Sequence, residues 1–298
     1  MNTLERIVSS NKMPVLFIGS GISRRYLQGY PDWDALLRKS FNMYNNDSYQ
    51  YQKHIDRFKR DNFTDFEIMA KMGTLIENGF NEAFFDRKLS LNFVKSKNPA
   101  WVKRGVSPYK MYLSNLFKKL PLKDAAYLTK EKESFKNLRN KISAVITTNY
   151  DQFIEKEIFN SDFTVFTHQY ELFSADSYNS AEIYKIHGCV TDANSIVITE
   201  NDYNDFADSR KLVIAKMLTL FSESPIIFLG YSFTDENVRS IVTDFLSCLT
   251  EEQLINIDEH FVFISFKKGE RKLVETKNTI YTSSGKKIPV TEIQTDNF

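Results

Sequence analysis

The stretch VLFIGSGIS, residues 15–23, decides the fold. Four apolar residues run directly into Gly-Ser-Gly, although the chain has only ten glycines in 298 residues. A continuous apolar run of this length is typical of a strand covered on both faces, as in a parallel sheet. Backbone N–H groups after such a strand can bind a pyrophosphate, but tight turns also use glycine, and the usual third glycine of the dinucleotide fingerprint is missing. The stretch alone therefore leaves both interpretations open.

Further short apolar runs follow along the chain. We predict strands over residues 14–19, 144–149, 226–230 and 261–265, and shorter ones over 163–166, 183–187, 195–199 and 287–293. Between them, apolar residues recur at helical spacing. One such face, with Thr234 as its predicted N-cap, consists of Val238, Ile241, Val242, Phe245, Leu246 and Leu249; another consists of Trp33, Leu36, Leu37, Phe41 and Tyr44. This alternation predicts an α/β fold with a doubly wound, Rossmann-like, mostly parallel sheet.

One long segment breaks the alternation. Residues 45–140 contain no convincing strand pattern, and their apolar residues are spaced as in helices. We therefore predict a helical insertion at 45–140 within a core formed by residues 1–44 and 141–298.

Composition excludes several classes of protein. Lys and Arg number 39 against 38 Asp and Glu, which argues against a general nucleic-acid binder. The only cysteines, Cys189 and Cys248, cannot build a four-cysteine zinc site or a disulfide framework. The sequence contains no run of 18 apolar residues and no signal-peptide pattern at its start. We expect a cytoplasmic protein that needs no metal and binds neither membranes nor nucleic acid directly.

Polar residues follow several of the predicted strands. Thr147, Thr148, Asn149 and Asp151 follow one run, His187 and Gly188 end another, and Gly230, Ser232 and Asp235 follow a third. Open α/β sheets bind ligands at the carboxyl ends of their strands. Because four strand ends, including Gly19–Gly21, carry such residues, the pattern indicates one shared site.

The order of these motifs resembles that of the sirtuin family. In particular, it is similar to the sirtuin-like proteins of bacterial anti-phage defence, which hydrolyse NAD when infection is sensed. The resemblance spans residues 12–293 and rests on GSGIS (19–23), YPDW (30–33), TTNYD (147–151), IHG (186–188) and GYSFTD (230–235).

The departures from protein-deacetylating sirtuins weaken a deacylase interpretation. The four-cysteine zinc ribbon that follows the His-Gly pair in those enzymes is missing, since that region holds only Cys189. Thr148 stands where the deacetylase motif has glutamine, and the Pro-Asp-Trp segment lacks the following arginine.

The resemblance implies NAD as the substrate and no metal. The implied reaction cleaves the nicotinamide–ribose bond to give nicotinamide and ADP-ribose, in the effector domain of an abortive-infection system. Histidine is the natural base near neutral pH, and the resemblance places His187 in that role, with Asn149 holding the ribose or the attacking water. The implied cofactor-binding residues are Gly19, Ser20, Gly21, Ile22, Ser23, Asp32, Trp33, Thr148, Asp151, Gly230, Ser232 and Phe233.

Structural roles compete with these functional ones. Asp151 could cap the following helix, and His187 could be a satisfied strand-end histidine. Trp33 could pack in the core, and Ser232 could be a turn residue. Two other functions also stay open: a non-catalytic sensor that binds NAD or ADP-ribose without turnover, and an NAD-dependent protein deacylase.

The resemblance also implies partners. Related proteins commonly assemble, so we expect a homo-oligomer, and we expect a further C-terminal domain or a partner protein that senses phage. The last predicted strand is followed by Thr295, Asp296 and Asn297, residue types that are typical of a helix N-terminus. We therefore expect the natural protein to continue with a covering helix. The alternative is a short complete protein whose last strand lies at the sheet edge.

Overall fold

One eight-stranded sheet organises the part of the chain that the structure describes. This computed structural model describes residues 1–96, 99–174, 181–255, 257–282, 285 and 287–296. The strands are β1 (Val15–Ile18), β2 (Ala144–Thr147), β3 (Thr164–Phe166), β4 (Glu182–Lys185), β5 (Ile226–Leu229), β6 (Phe261–Phe266), β7 (Val274–Tyr281) and β8 (Lys287–Thr295).

The strand order confirms the predicted sheet. It runs β3-β4-β2-β1-β5-β6-β8-β7, and every neighbouring pair is parallel except β7 and β8. Val15 lies opposite Ala144 on one side and Ile226 on the other. The chain therefore builds outward in one direction from β1 and in the other from β5. The boundary between these two strands is the topological switch point at which doubly wound sheets bind ligands.

Helices occupy most of the intervals between strands. Several begin at residues whose side chains cap the first turn, such as Asp32, Thr64 and Thr199. The helices are α1 (Thr3–Ser9), α2 (Ser20–Tyr26), α3 (Trp33–Phe41), α4 (Ser48–Arg60), α5 (Asp65–Phe85), α6 (Ala100–Lys103), α7 (Pro108–Lys118), α8 (Ala126–Lys136), α9 (Glu171–Ser174), α10 (Glu200–Asn204), α11 (Phe206–Ser209), α12 (Lys211–Glu223), α13 (Glu236–Ser247) and α14 (Glu251–Leu254), with a π-helix at Ile154–Ile158 and 3₁₀ turns at Ala193–Ser195 and Ile257–Glu259.

The sheet is covered on both faces. Alternate residues of β1 enter opposite cores: Val15 and Phe17 pack with α12 and α13, whereas Leu16 and Ile18 pack with α8 and the π-helix. This two-sided burial explains why the central strands carry uninterrupted apolar runs.

A third apolar cluster lies among the helices between β1 and β2. It contains Leu37 of α3, Met72 and Phe80 of α5 and Leu113 of α7. Ile198, from the loop after β4, packs in the same cluster. Helix α5 approaches this loop so closely that a Cβ on Gly73 would lie 2.1 Å from the backbone oxygen of Ile198. The division into a core and an insertion at 45–140 stays a prediction.

Two sequence predictions are wrong in detail, and one strand is missing from them. Residues 195–199 are not a strand: a 3₁₀ turn ends at Ser195, and Ile196–Ile198 lead into α10. Their apolar side chains are buried against helices, and the capping box between Thr199 and Asp202 starts a helix there. The cap of α13 is Asp235, not Thr234, because the Asp235 carboxylate accepts a hydrogen bond from Val238 N. The sequence analysis also missed β7, whose side chains are mostly exposed.

The last strand is not an edge strand. β8 lies between β6 and β7, so the edge position considered for the last strand is wrong, and whether the natural protein continues stays a prediction. Asn297, part of the predicted helix start, lies outside the described residues. Across the described ranges, no helix is both long enough and apolar enough to cross a membrane.

Candidate active site

A cavity of about 520 Å³ opens at the carboxyl ends of the central strands. The segments that follow β1, β2, β4 and β5 contribute Ser20, Asn149, His187 and Gly230 to its lining, and the end of β6 contributes Ser265. The segment leading into α3 closes another wall with Tyr30, Pro31, Asp32 and Trp33. The cavity therefore lies at the switch point between β1 and β5.

Glycines let the backbones after β1 and β5 touch. A Cβ on Gly19 would lie 2.5 Å from the backbone oxygen of Gly230, and one on Gly21 would lie 2.7 Å from the same atom. Gly21 N donates a hydrogen bond to that oxygen at 2.9 Å. Gly230 itself has a φ of 58°, which favours glycine. The Gly-Ser-Gly stretch is thus required by the close approach of two loops at the cavity wall.

Asn149 is fixed by hydrogen bonds on both of its amide N–H groups. Nδ2 donates to the backbone oxygen of Gly19 at 3.0 Å and to Ser23 Oγ at 2.9 Å. Its backbone N donates to Thr147 Oγ1 at 3.1 Å. No described residue donates to Oδ1. Since both N–H groups are occupied, Oδ1 is the polar atom that Asn149 can offer to a ligand in the cavity.

Asp151 lies outside the cavity lining and holds this arrangement through hydrogen bonds. Ser23 Oγ donates to its Oδ2 at 2.7 Å, and Oδ1 accepts from Phe153 N, two residues further along the chain, at 2.9 Å. Lys185 Nζ donates to the backbone oxygen of Asp151 and lies 3.1 Å from Glu155 Oε1 in a buried ion pair. Asp151 therefore holds Ser23, which in turn holds Asn149.

His187 is buried on the other side of the cavity. Burial lowers the pKa of its imidazole below the usual 6.5, Asp235 opposes that shift, and Arg210 adds to it. Its ring makes edge contacts with Tyr203 and Phe206, at centroid distances of 5.5 and 5.8 Å. A neutral imidazole can accept a proton, so these surroundings suit a general base.

Three buried polar atoms around the cavity have no hydrogen-bond partner among the described residues. They are His187 Nε2, Trp33 Nε1 and the hydroxyl of Tyr231. All three residues line the cavity. Because an unpartnered buried polar group is costly, these atoms are candidates for contacts with a bound ligand or ordered water.

The structure brings most of the predicted site residues together, but not all of them. Those that line the cavity are Ser20, Gly21, Asp32, Trp33, Thr148, Asn149, His187, Gly230 and Ser232. Those that lie outside its lining are Gly19, Ile22, Ser23, Asp151 and Phe233. Ile22 and Phe233 are buried in the two apolar cores of the sheet, and Ser23 and Asp151 support Asn149.

The sequence analysis missed several residues of the lining. Tyr203 comes from α10, after the segment that was wrongly predicted as a strand, and no motif marked it. Arg24 directly follows GSGIS and Tyr231 lies within GYSFTD, so both could have been found by their position. Arg24 is the only lysine or arginine in the described lining. Metal-site groups of three or more His, Cys, Asp or Glu residues do not occur within the described residues.

A family comparison agrees with this geometry. Residues 143–282 match the model of the SIR2-like domain. This part of the chain is therefore similar to a SIR2-like domain. The match includes the strand ends that carry Asn149, His187 and Gly230, so the resemblance to sirtuins is confirmed.

Several curated proteins are similar to segments of this chain. It is 34% identical over 111 residues to the NAD(+) hydrolase ThsA of Enterococcus faecium, covering 36% of this chain and 23% of that protein. It is 29% identical over 132 residues to NAD(+) hydrolase ThsA of Bacillus cereus (strain MSX-D12), covering 42% and 26%. It is 24% identical over 239 residues to defense-associated sirtuin 2 of Bacillus subtilis, covering 78% and 19%. The matched segments thus span about a quarter or less of these relatives' own length.

Proposed function

We propose that this SIR2-like domain hydrolyses NAD to nicotinamide and ADP-ribose as part of bacterial anti-phage defence. The observation that carries the proposal is the pairing of a buried His187 of lowered pKa with an Asn149 amide whose N–H groups are both occupied, across one cavity. Relatives named NAD(+) hydrolase and defense-associated sirtuin support the same reaction and setting.

The proposed reaction needs a base and a positioned water. Water attacks C1′ of the ribose, the bond from C1′ to the nicotinamide nitrogen breaks, and its electron pair neutralises the pyridinium. The water's proton passes to His187. Asn149 Oδ1 accepts a hydrogen bond from the water or a ribose hydroxyl and so orients it.

The lining divides between the two ends of NAD. We propose that the backbone at Ser20 and Gly21, with Arg24, binds the pyrophosphate, and that Trp33 and Asp32 border the nicotinamide. Gly230 and Ser232 line the cofactor from the other side. Gly19, Ile22, Ser23, Asp151 and Phe233 would then act by supporting this lining. The homo-oligomer, the sensing domain or partner, the metal-free reaction and the cytoplasmic location stay predictions.

The deciding experiment incubates the purified protein with NAD and separates the products by chromatography. Equal amounts of nicotinamide and ADP-ribose, formed without an acyl-lysine peptide, would support hydrolysis. Tight binding of NAD with no product, including with the natural full-length chain, would favour the sensor. Turnover only with an acyl-lysine peptide, giving an acylated ADP-ribose, would favour the deacylase.

A further inference from the structure

The carboxylate of Asp235 lies beside the imidazole of His187. Oδ2 of Asp235 is 3.4 Å from His187 Nε2, and both side chains are largely buried, with 11% and 4% of their surface exposed. The contact lacks the alignment of a hydrogen bond, and Nε2 has no other partner among the described residues. The two groups are therefore close enough for strong charge coupling.

The two oxygens of Asp235 have separate surroundings. Oδ1 accepts a hydrogen bond from Val238 N at 3.1 Å and caps α13, which fixes the position of the carboxylate. Oδ2 accepts no hydrogen bond from any described residue. The helix cap thus holds one oxygen in place while the other faces the imidazole.

Other charged groups near His187 are already engaged. Asp202, on α10, forms an ion pair with Lys110 at 2.6 Å. Arg210, at the start of α12, donates to the backbone oxygens of Thr167 and Ser195. In the described chain, Asp235 is the only carboxylate within 4 Å of a His187 ring nitrogen.

We propose that Asp235 is a positioning residue that orients His187 and compensates the positive charge the imidazole acquires when it takes a proton. The catalytic part of this proposal rests on the proposed function. The charge on His187 appears only as the reaction proceeds, so a carboxylate at this distance stabilises the transition state more than the bound substrate. Burial alone disfavours that charge, and Asp235 offsets the effect by raising the pKa of His187.

The test uses two variants that remove the charge and keep the helix cap. Asparagine and serine are both good N-caps, so Asp235→Asn and Asp235→Ser are expected to fold. Asp47→Asn is the control, because the Asp47 carboxylate also caps a helix, by accepting from Tyr49 N of α4, and does not line the cavity. The pKa of His187 is measured by NMR on protein with labelled histidine, assigned with His187→Gln, and the pH dependence of NAD cleavage is measured in parallel.

We expect the pKa of His187 to fall in both Asp235 variants and to stay unchanged in Asp47→Asn. We expect kcat at pH 7 to drop by roughly 10- to 100-fold, less than loss of the base itself, and the acid limb of the rate profile to move to lower pH. An unchanged or raised pKa of His187 would overturn the proposal, as would full kcat in both variants. Absence of turnover in the parent protein would count against the proposed function, and the pKa comparison would then decide the Asp235 proposal by itself.

Discussion

The two sides of the cavity differ in how fully their polar atoms are satisfied. On the Asn149 side, defined by Gly19, Ser23, Asn149 and Asp151, hydrogen bonds link each residue to the next. On the His187 side, defined by Trp33, His187 and Tyr231 with Asp235, three buried polar atoms lack partners among the described residues. Buried polar groups normally pair. The Asn149 side is therefore held together by its own hydrogen bonds, whereas the His187 side keeps buried polar atoms that a ligand could pair.

This difference predicts that the two sides respond differently to mutation. Loss of the His187 imidazole should reduce activity more than stability, because Nε2 makes no hydrogen bond to a described residue that would be lost. A change on the Asn149 side should reduce both, because it leaves buried partners unsatisfied. For this reason Asn149→Ala is a poor test of chemistry alone, although Asn149 stands at a strand end.

The largest effect is expected from His187→Ala. Loss of a general base typically lowers the rate by 10²- to 10⁴-fold, so NAD cleavage should fall by at least ~10²-fold while the melting temperature changes little. His54→Ala is the control, since His54 lies on α4 away from the cavity. Near-parent turnover in His187→Ala, measured where the parent is active, would remove His187 from the mechanism.

The next largest effect is expected for the hydrogen bonds that hold Asn149 in place. Ser23→Ala removes a hydroxyl that donates to Asp151 and accepts from Asn149, so it leaves two buried groups short of a partner. We expect a loss of about 1–3 kcal/mol in the free energy of unfolding, measured by denaturant titration. Ser232→Ala is the matched control, because Ser232 is exposed and its hydroxyl contacts only Thr234 among the described residues. It should change stability by less than about 0.5 kcal/mol. Equal losses in both variants would contradict the supporting role of the Asn149 side.

A smaller effect is expected for Arg24, which lies in the cavity lining and is half exposed. Arg24 lies 3.9 Å from Asp32 Oδ2, and half of its side chain is exposed. If it contacts the pyrophosphate, Arg24→Gln should weaken NAD binding by roughly tenfold in calorimetry, the lower end for a hydrogen bond to a charged group. Adenosine, which has no phosphate, should bind equally well to parent and variant.

The control for Arg24→Gln is Lys39→Gln, which removes the same charge from an exposed position outside the cavity. Similar losses of NAD affinity in the two variants would mean that overall charge, and not a local contact, causes the effect. A loss of adenosine binding in Arg24→Gln would point to a distorted cavity.

The comparison of the two sides also shows what the sequence can predict. The Asn149 side comes from residues that directly follow apolar strands, so strand patterns and motifs located Gly19, Asn149 and Asp151 correctly at one edge of the sheet. Continuous apolar runs arise because β1, β2 and β5 are buried on both faces, and that made these strands easy to predict.

The features that the sequence analysis did not predict depend on tertiary packing. Ile196–Ile198 are as apolar as a strand, but they pack against helices of the third cluster and α10, which no local pattern reveals. Because this segment was wrongly predicted as a strand, Tyr203 of the following helix was not identified as a cavity-lining residue. β7 was missed because it is an exposed edge strand with a mixed polar sequence. The proximity of Asp235 to His187 joins two strand ends, β4 and β5, that are far apart in the chain.

The smallest predicted effect is a pH dependence of stability on the His187 side. Burial lowers the pKa of His187 in the folded protein, so the unfolded chain binds a proton there more readily. The free energy of unfolding should therefore fall as the pH drops below about 6.5, with a slope of at most ~1.4 kcal/mol per pH unit for this one group. His54 and His260 also have lowered pKa values, caused first by burial, and they add contributions of the same sign. The difference between the parent and His187→Gln isolates the share of His187, because glutamine does not titrate. Denaturant titrations from pH 8 to 5.5 should show a shallower acid-side loss in the variant, and parallel curves would mean that protonation of His187 costs the fold nothing.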